Sequence, residues 1–438
     1  MESNNYQERK KFLVEYFRSG EVDNSKFKLG MEIEHFIVKK DTMEAVPYYG
    51  LDGIEGILKE MLKNAWQGVY DNKNIIGLQG DKADISLEPG GQFELSLHPV
   101  NSLKEIDSIY KVFLNDISDI LKERNLILLN LGYQPVTNIY NIPLLPKKRY
   151  EYMYRYFEDK GKYAHNMMKG TASIQLNIDY SSEEDFAKKM RVANFLSPFV
   201  YYFFDNSPFF EGKITNDFRA RSLIWDNCDN ARCGFVNNVF KKDFSYSDYA
   251  DYILNLPSIT YMKKDRLYYS GEDRIKDIFV PGDFSKKEME HFLSMAFPEV
   301  RLKKYIELRS GDSLPYPYNL AYIAFLKTLL YNQSNLDNLY KESLAFSEDS
   351  ILKLKANINN NENDIIIKDR PIDEYMSFLL SMVEKPLEKE EKKYLIYLEE
   401  IIKDKEYLKN KTLNLYNSGS TLKEALSWCT LSEKSARR

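Results

Sequence analysis

The sequence predicts an α+β fold in which one large antiparallel sheet is accompanied by helices. Four segments alternate apolar and polar residues with the period of two that indicates a half-buried strand, namely 27–37, 85–97, 171–180 and 301–309. Between and after these segments, apolar residues recur with helical spacing, most continuously from residue 319 onward. A sheet with one solvated face is typical of antiparallel strands, whereas parallel sheets are covered on both faces.

The other elements follow in order from apolar periodicity and from turn residues. We expect helices over six further ranges: 1–24, 51–66, 102–124, 149–168, 183–205 and 285–296. Additional strands are expected near 75–79 and over 126–131. The proline-punctuated stretch 135–148 predicts a loop, and the segment 211–235 predicts a ligand-facing loop because it is rich in Asn, Asp and Arg.

This organisation predicts two parts within one compact unit. Residues 1–318 are expected to form a sheet-based core, and residues 319–438 a helical C-terminal cover. Only 355–372 interrupts the helical pattern, as a loop or a short hairpin.

The polar faces of the strands carry an unusual number of carboxylates. Glu32 and Glu34 share one face of the first alternating strand, and Glu88 and Glu94 lie in the second. Like charges on paired strands repel each other, so these side chains require a positive partner. A divalent metal bound by several Glu side chains meets that requirement, and Gln175 of the third strand adds a neutral oxygen.

Each of these features also has a simpler interpretation. A Glu pair on an exposed face is usually just solvated, and Pro89-Gly90-Gly91 is compatible with a simple bulged turn. Glu307 and Arg309 on the fourth strand could form an ordinary surface ion pair of little energy. In combination, however, a metal site beside a fixed guanidinium is what phosphoryl transfer requires, because charge spreads over the transferred oxygens.

Composition excludes several other classes. The chain has 438 residues, 43% of them hydrophobic and 29% charged, and its net charge of −5 gives no reason to expect a nucleic-acid or anionic-membrane partner. No apolar run of about 18 residues and no signal-peptide core is present. Three sparse cysteines, Cys228, Cys233 and Cys429, suit a reducing compartment, so we expect a cytoplasmic protein. Neither a P-loop nor a G-x-S-x-G elbow occurs.

One long string is recognisable. Residues 86–96 read Ser-Leu-Glu-Pro-Gly-Gly-Gln-Phe-Glu-Leu-Ser, which resembles a signature of the plant-type glutamate–cysteine ligase family. Other motifs of that family follow in the same order: Gly30-Met31-Glu32-Ile33-Glu34, Pro146-Lys147-Lys148-Arg149-Tyr150, Thr171 to Asp179, Asn206-Ser207-Pro208-Phe209, Arg221-Ser222-Leu223-Ile224-Trp225, and Phe297 to Lys303. The resemblance spans about 27–315.

The resemblance implies a glutamine synthetase-like curved antiparallel sheet whose concave face binds two or three Mg²⁺ ions and ATP. It implies the following metal ligands: Glu32, Glu34, Glu88, Glu94, Glu307 and, less directly, Gln175. Arg309, with Glu307, matches the catalytic pair at the transferred phosphoryl group. The residues that match the glutamate site are Arg221, Trp225, Thr171 and Asn177, and those near the ATP phosphates are Lys303 and Arg149.

The implied reaction is ATP-dependent ligation of the glutamate γ-carboxylate to the amine of cysteine, through γ-glutamyl phosphate, in glutathione biosynthesis. The implied partners are these small molecules, bound by a monomer or a homodimer.

The motifs depart from the family at Lys148, at His98, at both Cys228 and Cys233, and at Ser310. We expect these departures to border the pocket, so a relative that uses another amine is the alternative. A metal-dependent hydrolase or a non-catalytic ATP-binding protein is a more distant alternative. The cysteines match none of the redox-control pairs of the plant enzymes.

Overall fold

The computed structural model describes residues 2–50, 52–362 and 364–431, with side chains from Asn5 onward. Its strands, numbered along the chain, are β1 (Leu29–Lys39), β2 (Gln67–Asp71), β3 (Asn74–Gln79), β4 (Ala83–Leu87), β5 (Phe93–Leu97), β6 (Leu126–Leu129), β7 (Ser173–Ile178), β8 (Phe209–Phe210), β9 (Lys213–Ile214), β10 (Cys233–Gly234), β11 (Pro257–Lys263), β12 (Arg266–Arg274), β13 (Phe297–Pro298), β14 (Val300–Leu302), β15 (Ile306–Asp312), β16 (Ile366–Ile367) and β17 (Arg370–Pro371).

The α-helices, numbered in the same way, are α1 (Glu2–Arg18), α2 (Ile54–Met61), α3 (Leu103–Glu123), α4 (Lys148–Tyr156), α5 (Ala164–Gly170), α6 (Glu183–Phe203), α7 (Ala220–Asp226), α8 (Tyr246–Asn255), α9 (Ile275–Ile278), α10 (Lys286–Leu293), α11 (Tyr318–Tyr331), α12 (Gln333–Ser343), α13 (Glu348–Asn359), α14 (Ile372–Glu384), α15 (Lys392–Asp404), α16 (Leu408–Asn417) and α17 (Leu422–Ala425).

One large sheet organises the fold. Within the described residues, nine strands form it in the spatial order β14-β15-β7-β1-β5-β4-β3-β2, with β6 also paired to β1, and every pairing is antiparallel. The alternation expected from the sequence divides its faces as predicted, because Ile33, Leu95, Leu176 and Leu308 are all buried on the apolar face. The predicted α+β fold with a large antiparallel sheet is confirmed.

Helices from both parts of the chain cover the apolar face. Helix α6 contacts β15, α3 contacts β6, and α11 of the C-terminal region contacts β7 and α3. Buried side chains of the sheet and of α11 to α15 belong to one hydrophobic cluster. The division at 318/319 into a core and a C-terminal cover stays a prediction. Residues 432–438, at the end of the predicted cover, lie outside the part of the chain that the structure describes. None of the helices described here has the length and apolar character that crossing a membrane requires.

Two predicted single strands are hairpins. The segment 85–97 folds into β4 and β5 around the turn 88–92, and 301–309 folds into β14 and β15 around 303–305. The second turn is closed by a hydrogen bond from Lys303 N–H to the Tyr305 carbonyl at 2.9 Å. This correction matters for function because it places Arg301 directly opposite Glu307.

Three other predictions also need correction. The helix expected over 149–168 is split into α4 and α5, because Gly161 packs so tightly that a Cβ there would lie 2.2 Å from the Asn227 carbonyl oxygen. The expected loop 211–235 contains α7. Strand β2 and the β11–β12 hairpin were not predicted, whereas the hairpin alternative for 355–372 is correct, as β16 and β17.

Candidate active site

The strand register brings the predicted acidic residues onto one face. Glu34 lies directly opposite Glu94, and Glu32 lies directly opposite Gln175. Residues in register on adjacent strands have side chains on the same face of the sheet. Glu307 is likewise paired with Asn177 on one side and with Arg301 on the other. The polar face therefore carries three short rows of functional groups across β14, β15, β7, β1 and β5.

A cavity of about 320 Å³ lies over this face. Its acidic and amide lining residues are Glu32, Glu34, Glu88, Glu94, Gln92 and Gln175. Its cationic lining residues are Lys147, Arg149, Arg221, Arg301, Lys303 and Arg309. Trp225, Thr171, Ser173, Phe297 and three methionines complete much of the wall. The cavity thus has both acidic and basic lining residues.

In the acidic half, formed by Glu32, Glu34, Glu88 and Glu94, the hydrogen bonds to Glu34 and Glu94 come from neutral donors. Glu34 Oε2 accepts a hydrogen bond from the Ser173 N–H at 2.7 Å. Glu94 Oε1 accepts hydrogen bonds from the hydroxyls of Ser86 and Ser96 at 2.9 and 3.0 Å. These donors fix the carboxylates without bringing a full positive charge.

The pKa values of these carboxyls show that burial and mutual repulsion outweigh the nearby cations Lys303 and Arg221. Burial and the charges of Glu88 and Glu94 raise the pKa of Glu34 well above its usual range. Burial and Glu88 also raise the pKa of Glu94, although the serine hydroxyls lower it. Burial, together with Glu307 and Glu94, raises the pKa of Glu32. A cation bound among these groups would relieve both burial and repulsion.

Glu88 enters the cavity from the turn between β4 and β5. Gly91 has a positive φ of 86°, a conformation that glycine adopts without strain. The side chain of Gln92 braces the turn, because its Oε1 accepts from Gly90 N–H at 2.9 Å and its Nε2 donates to the carbonyls of Met168 and Thr171 at 3.2 and 2.8 Å. Gln92 thus fixes the turn against α5, a role that the sequence analysis did not assign.

The basic half, formed by Arg301, Lys303 and Arg309 around Glu307, is internally paired. Glu307 is fully buried, and Arg301 donates to both of its carboxylate oxygens, with Nη2 at 2.6 Å from Oε1 and Nε at 3.1 Å from Oε2. Lys303 Nζ lies 3.1 Å from Oε2, and Arg309 Nη1 also donates to Oε1. Burial alone would raise the pKa of Glu307, but these three cations hold it below its usual range.

Arg309 projects from an irregularity in β15. The register against β7 shifts between Leu308 and Gly311, so Arg309 and Ser310 form a bulge, a feature that redirects side chains. Arg309 Nη1 donates to Gln175 Oε1 at 2.7 Å. The same nitrogen also donates to Glu307, so one corner of the guanidinium joins Glu307 to Gln175.

Helix α7 supplies Arg221 and Trp225. Arg221 is almost fully buried, and its Nη1 and Nη2 donate to the carbonyls of Ser310 and Arg309 at 3.1 and 2.8 Å. Among the described residues, neither Arg221 Nε nor Trp225 Nε1 has a hydrogen-bond partner. The Arg221 guanidinium lies 5.7 Å from the Trp225 ring centroid, and that of Arg309 lies 5.8 Å from it. Both unpaired nitrogens are buried, and buried donors without a partner are uncommon in folded proteins.

Cations near the start of α4 form a further part of the basic lining. Arg149 Nη2 donates to the Ser294 carbonyl at 3.1 Å, and within the described chain its buried Nε has no partner. Burial and the neighbouring Arg149 lower the pKa of Lys147, whose Nζ lies 4.7 Å from the Tyr150 ring centroid. The start of a helix adds its own positive dipole end.

Metal ligation by the acidic half stays a prediction. In their present positions, no three carboxylate, imidazole or thiol side chains of the described chain are close enough to form a complete cage. The donor set nevertheless fits Mg²⁺, which prefers hard oxygens and is commonly held by one or two carboxylates plus water and substrate phosphates. The elevated pKa values of Glu32, Glu34 and Glu94 support a cation at this place.

Most predicted site residues line the one cavity, with two exceptions. Among the described residues that line it, Glu307 and Asn177 are absent. Glu307 lies beneath its three cations, and Asn177 donates from Nδ2 to Glu32 Oε1 at 2.9 Å. Asn177 therefore orients the Glu32 carboxylate, and its predicted role in substrate binding stays a prediction. Thr171 lines the wall, but its hydroxyl donates to the Met167 carbonyl at 2.7 Å.

The sequence did not lead us to two cationic residues that line the cavity. It also led us to expect lining residues at positions where this chain departs from the family motifs. Arg301 and Lys147 lie inside quoted motifs, and their charge near other site residues was the available signal. The departures at Lys148, His98 and Cys228 were expected to border the pocket. Within the described lining of this cavity none of them occurs, and Lys148 is exposed and pairs with Glu151.

Comparisons with known proteins identify the family of this chain. A family model described as glutamate-cysteine ligase family 2 matches residues 28–361. A chloroplastic glutamate–cysteine ligase of Nicotiana tabacum is 35% identical over 75% of this chain and 64% of its own length. Glutamate–cysteine ligase A of Oryza sativa is 35% identical over 75% of this chain and 68% of its own. The chain thus spans about two thirds of the length of these relatives.

Solved structures extend the likeness in fold. A glutamate–cysteine ligase of Francisella tularensis, in complex with AMP, superposes with a TM-score of 0.56 at 16% identity, over 94% of this chain and 88% of that one. A bifunctional glutathione synthetase of Pasteurella multocida gives a TM-score of 0.51 at 13% identity, over 98% of this chain and 53% of that one.

Proposed function

The chain belongs to glutamate-cysteine ligase family 2, and we propose that it joins L-glutamate to L-cysteine at the expense of ATP. The single observation that carries the proposal is the divided cavity, which combines carboxylates held by neutral donors with cations preorganised around Glu307. Such a site fits an anionic, metal-neutralised nucleotide on one side and a carboxylate substrate on the other. The relatives named as ligases and the AMP complex of a structural neighbour support ATP as the co-substrate.

In the proposed reaction, a γ-carboxylate oxygen of glutamate attacks the γ-phosphorus of ATP, and ADP leaves. The amine nitrogen of cysteine then attacks the acyl carbon of γ-glutamyl phosphate, phosphate leaves, and the amine loses a proton. Arg309 stabilises charge on the transferred phosphoryl oxygens, since it projects into the cavity beside Gln175. Arg221 and Trp225 hold glutamate, with the free Arg221 Nε as a donor to a carboxylate.

We propose that Lys303 and Arg149 bind ATP phosphates from the basic lining. The groups proposed to hold Mg²⁺ are Glu32, Glu34, Glu88, Glu94 and, from the neutral side, Gln175. When bound, Mg²⁺ would supply charge neutralisation of the triphosphate. Glu307 serves mainly to hold Arg301, Lys303 and Arg309 in place. A cytoplasmic location stays a proposal based on the sparse cysteines.

The proposal is tested by ADP formation with Mg²⁺, ATP and glutamate across a panel of amines, with the products identified by mass. We expect cysteine to give the highest turnover and γ-glutamylcysteine to be the product. A panel in which another amine is preferred would instead establish a relative with a different acceptor. Phosphate release without any amine, or no turnover at all, would reject ligation.

A further inference from the structure

Lys355 connects the C-terminal helical region to the cavity wall. It lies on α13, and its side chain is only 4% exposed. Its Nζ donates hydrogen bonds to Asp226 Oδ1 and Glu299 Oε1, and it lies 4.9 Å from the Tyr201 ring centroid. One buried ammonium therefore joins two carboxylates from separate segments of the chain.

The first carboxylate controls the end of α7. Asp226 is the last residue of that helix, which also carries Arg221 and Trp225. The second oxygen of Asp226 accepts a hydrogen bond from Asn359 Nδ2 at 2.8 Å, and Asn359 lies one helical turn beyond Lys355 on α13. Two side chains of α13 thus hold the end of the helix that lines the cavity.

The second carboxylate controls the bulge in β15. Glu299 Oε2 accepts hydrogen bonds from the hydroxyls of Ser310 and Tyr201, both at 2.9 Å. The Glu299 carbonyl accepts from the Arg309 N–H at 3.1 Å. The same bulge receives the Arg221 guanidinium, so the two segments held by Lys355 also meet each other directly.

We propose that Lys355 is a positioning residue that fixes Arg221 and Trp225 of α7 relative to Arg309 of β15. The proposal rests on the proposed function, in which these groups bind glutamate and stabilise the phosphoryl group. Without the ammonium, Glu299 would be a buried charge without its cationic partner beside Asp226, and the end of α7 would be held to α13 through Asn359 but no longer through Lys355. Although burial lowers it, the two carboxylates hold the pKa of Lys355 well above its usual range, so the bridge stays charged.

The first test compares Lys355→Met with Lys327→Met. Lys327 also lies in the helical region, where its Nζ lies 2.7 Å from Glu391 Oε1. It is not among the described residues that line the cavity. We expect K355M to lower kcat at least tenfold and to raise the KM for glutamate at least fivefold, per folded protein. K327M should stay within twofold of the parent for both constants. A folded K355M with parental kcat and KM would overturn the proposal.

A second variant separates positioning from stability. In Lys355→Met combined with Glu299→Gln, the unpaired Glu299 charge is removed, so the melting temperature should recover most of its loss. Kinetics should not recover, because the Lys355 bridge between Asp226 and Glu299 is still missing and only the direct Arg221 contacts named above connect α7 to the bulge. Recovery of kcat and KM together with the melting temperature would show that Lys355 contributes only to stability and does not position the site residues. If K355M alone does not fold, this double variant carries the kinetic test.

A third measurement needs no substrate. With Trp66→Phe and Trp428→Phe as background, Trp225 is the remaining tryptophan of the chain. We expect K355M to increase acrylamide quenching of its fluorescence at least twofold, because the end of α7 is released. Unchanged quenching in folded K355M contradicts the proposal. A parent protein that forms no γ-glutamylcysteine would reject the proposed function, while this quenching experiment would still decide the role of Lys355.

Discussion

The acidic and basic halves of the cavity share one sheet face but differ in how their charge is balanced. Around Glu307, one carboxylate holds three cations in place without any ligand, and the cluster keeps an excess of positive charge. Around Glu34 and Glu94, carboxylates lie opposite each other and are held only by neutral donors. The basic half is therefore preorganised by the protein itself, whereas the acidic half is completed only by something that it binds.

The largest expected effect comes from breaking the basic half. Glu307→Gln leaves Arg301, Lys303 and Arg309 close together without a carboxylate, and Arg301 is buried. We expect a loss of about 3–5 kcal/mol in the free energy of unfolding, because a buried pair has lost one partner. Urea denaturation measures this loss. A stability within 1 kcal/mol of the parent would contradict the view that this half depends on Glu307.

Removal of Arg309 tests catalysis more than stability, because Arg301 and Lys303 still neutralise Glu307. We expect Arg309→Ala to cost about 2–4 kcal/mol in the reaction barrier, or roughly 30- to 1,000-fold in kcat. Steady-state ADP release measures it. Arg124→Ala is the control, since Arg124 pairs with Glu60 away from the cavity. Unchanged kcat in R309A would refute its proposed role.

Addition of Mg²⁺ should stabilise the protein through its acidic half. At ten times the dissociation constant, a bound ion adds about 1.4 kcal/mol to the free energy of unfolding. Denaturation with MgCl₂ and with NaCl of equal ionic strength measures the difference. The double variant Glu34→Gln with Glu94→Gln should lose this stabilisation. A parent protein that responds equally to both salts would indicate that the acidic half binds no divalent ion.

The smallest effect has the opposite sign to that of Glu307→Gln. In the absence of metal, Glu34→Gln should raise the free energy of unfolding by about 0.2–1 kcal/mol, because repulsion from Glu94 is removed while the amide oxygen can still accept from Ser173. Glu55→Gln is the matched control, since Glu55 pairs with Lys59 on α2 and should lose about 0.3–0.5 kcal/mol. Destabilisation by E34Q would show that the Glu34 carboxylate, like that of Glu307, stabilises the folded protein. The two halves would then not differ in this respect.

Strand alternation was enough to predict the face that carries the site. It gave the correct side for Glu32, Glu34, Glu94 and Gln175, because side-chain direction depends only on the local pleat. It could not detect the two hairpins. Ser86 pairs with Glu94, and both positions are even, so the alternation continues unbroken through a turn with an odd number of residues.

The same parity hides the 303–305 turn, since Arg301 pairs with Glu307. Periodicity therefore predicts faces but not which residues meet across strands. The ion pairs of Glu307, the bulge at Arg309 and the hydrogen bond from Asn177 to Glu32 all depend on that register. The role of Lys355 depends on packing between distant helices, for which one sequence contains no local signal.

The attachment of α13 has a practical consequence for anyone who shortens this protein. A deletion placed at the predicted 318/319 boundary would remove Lys355 and Asn359, and with them the partners of Asp226. The fragment would also expose apolar surface that α11 now covers. Expression of a minimal enzyme, gene fusion or circular permutation should therefore spare α13, and a surface turn farther along the chain is the safer place for new ends.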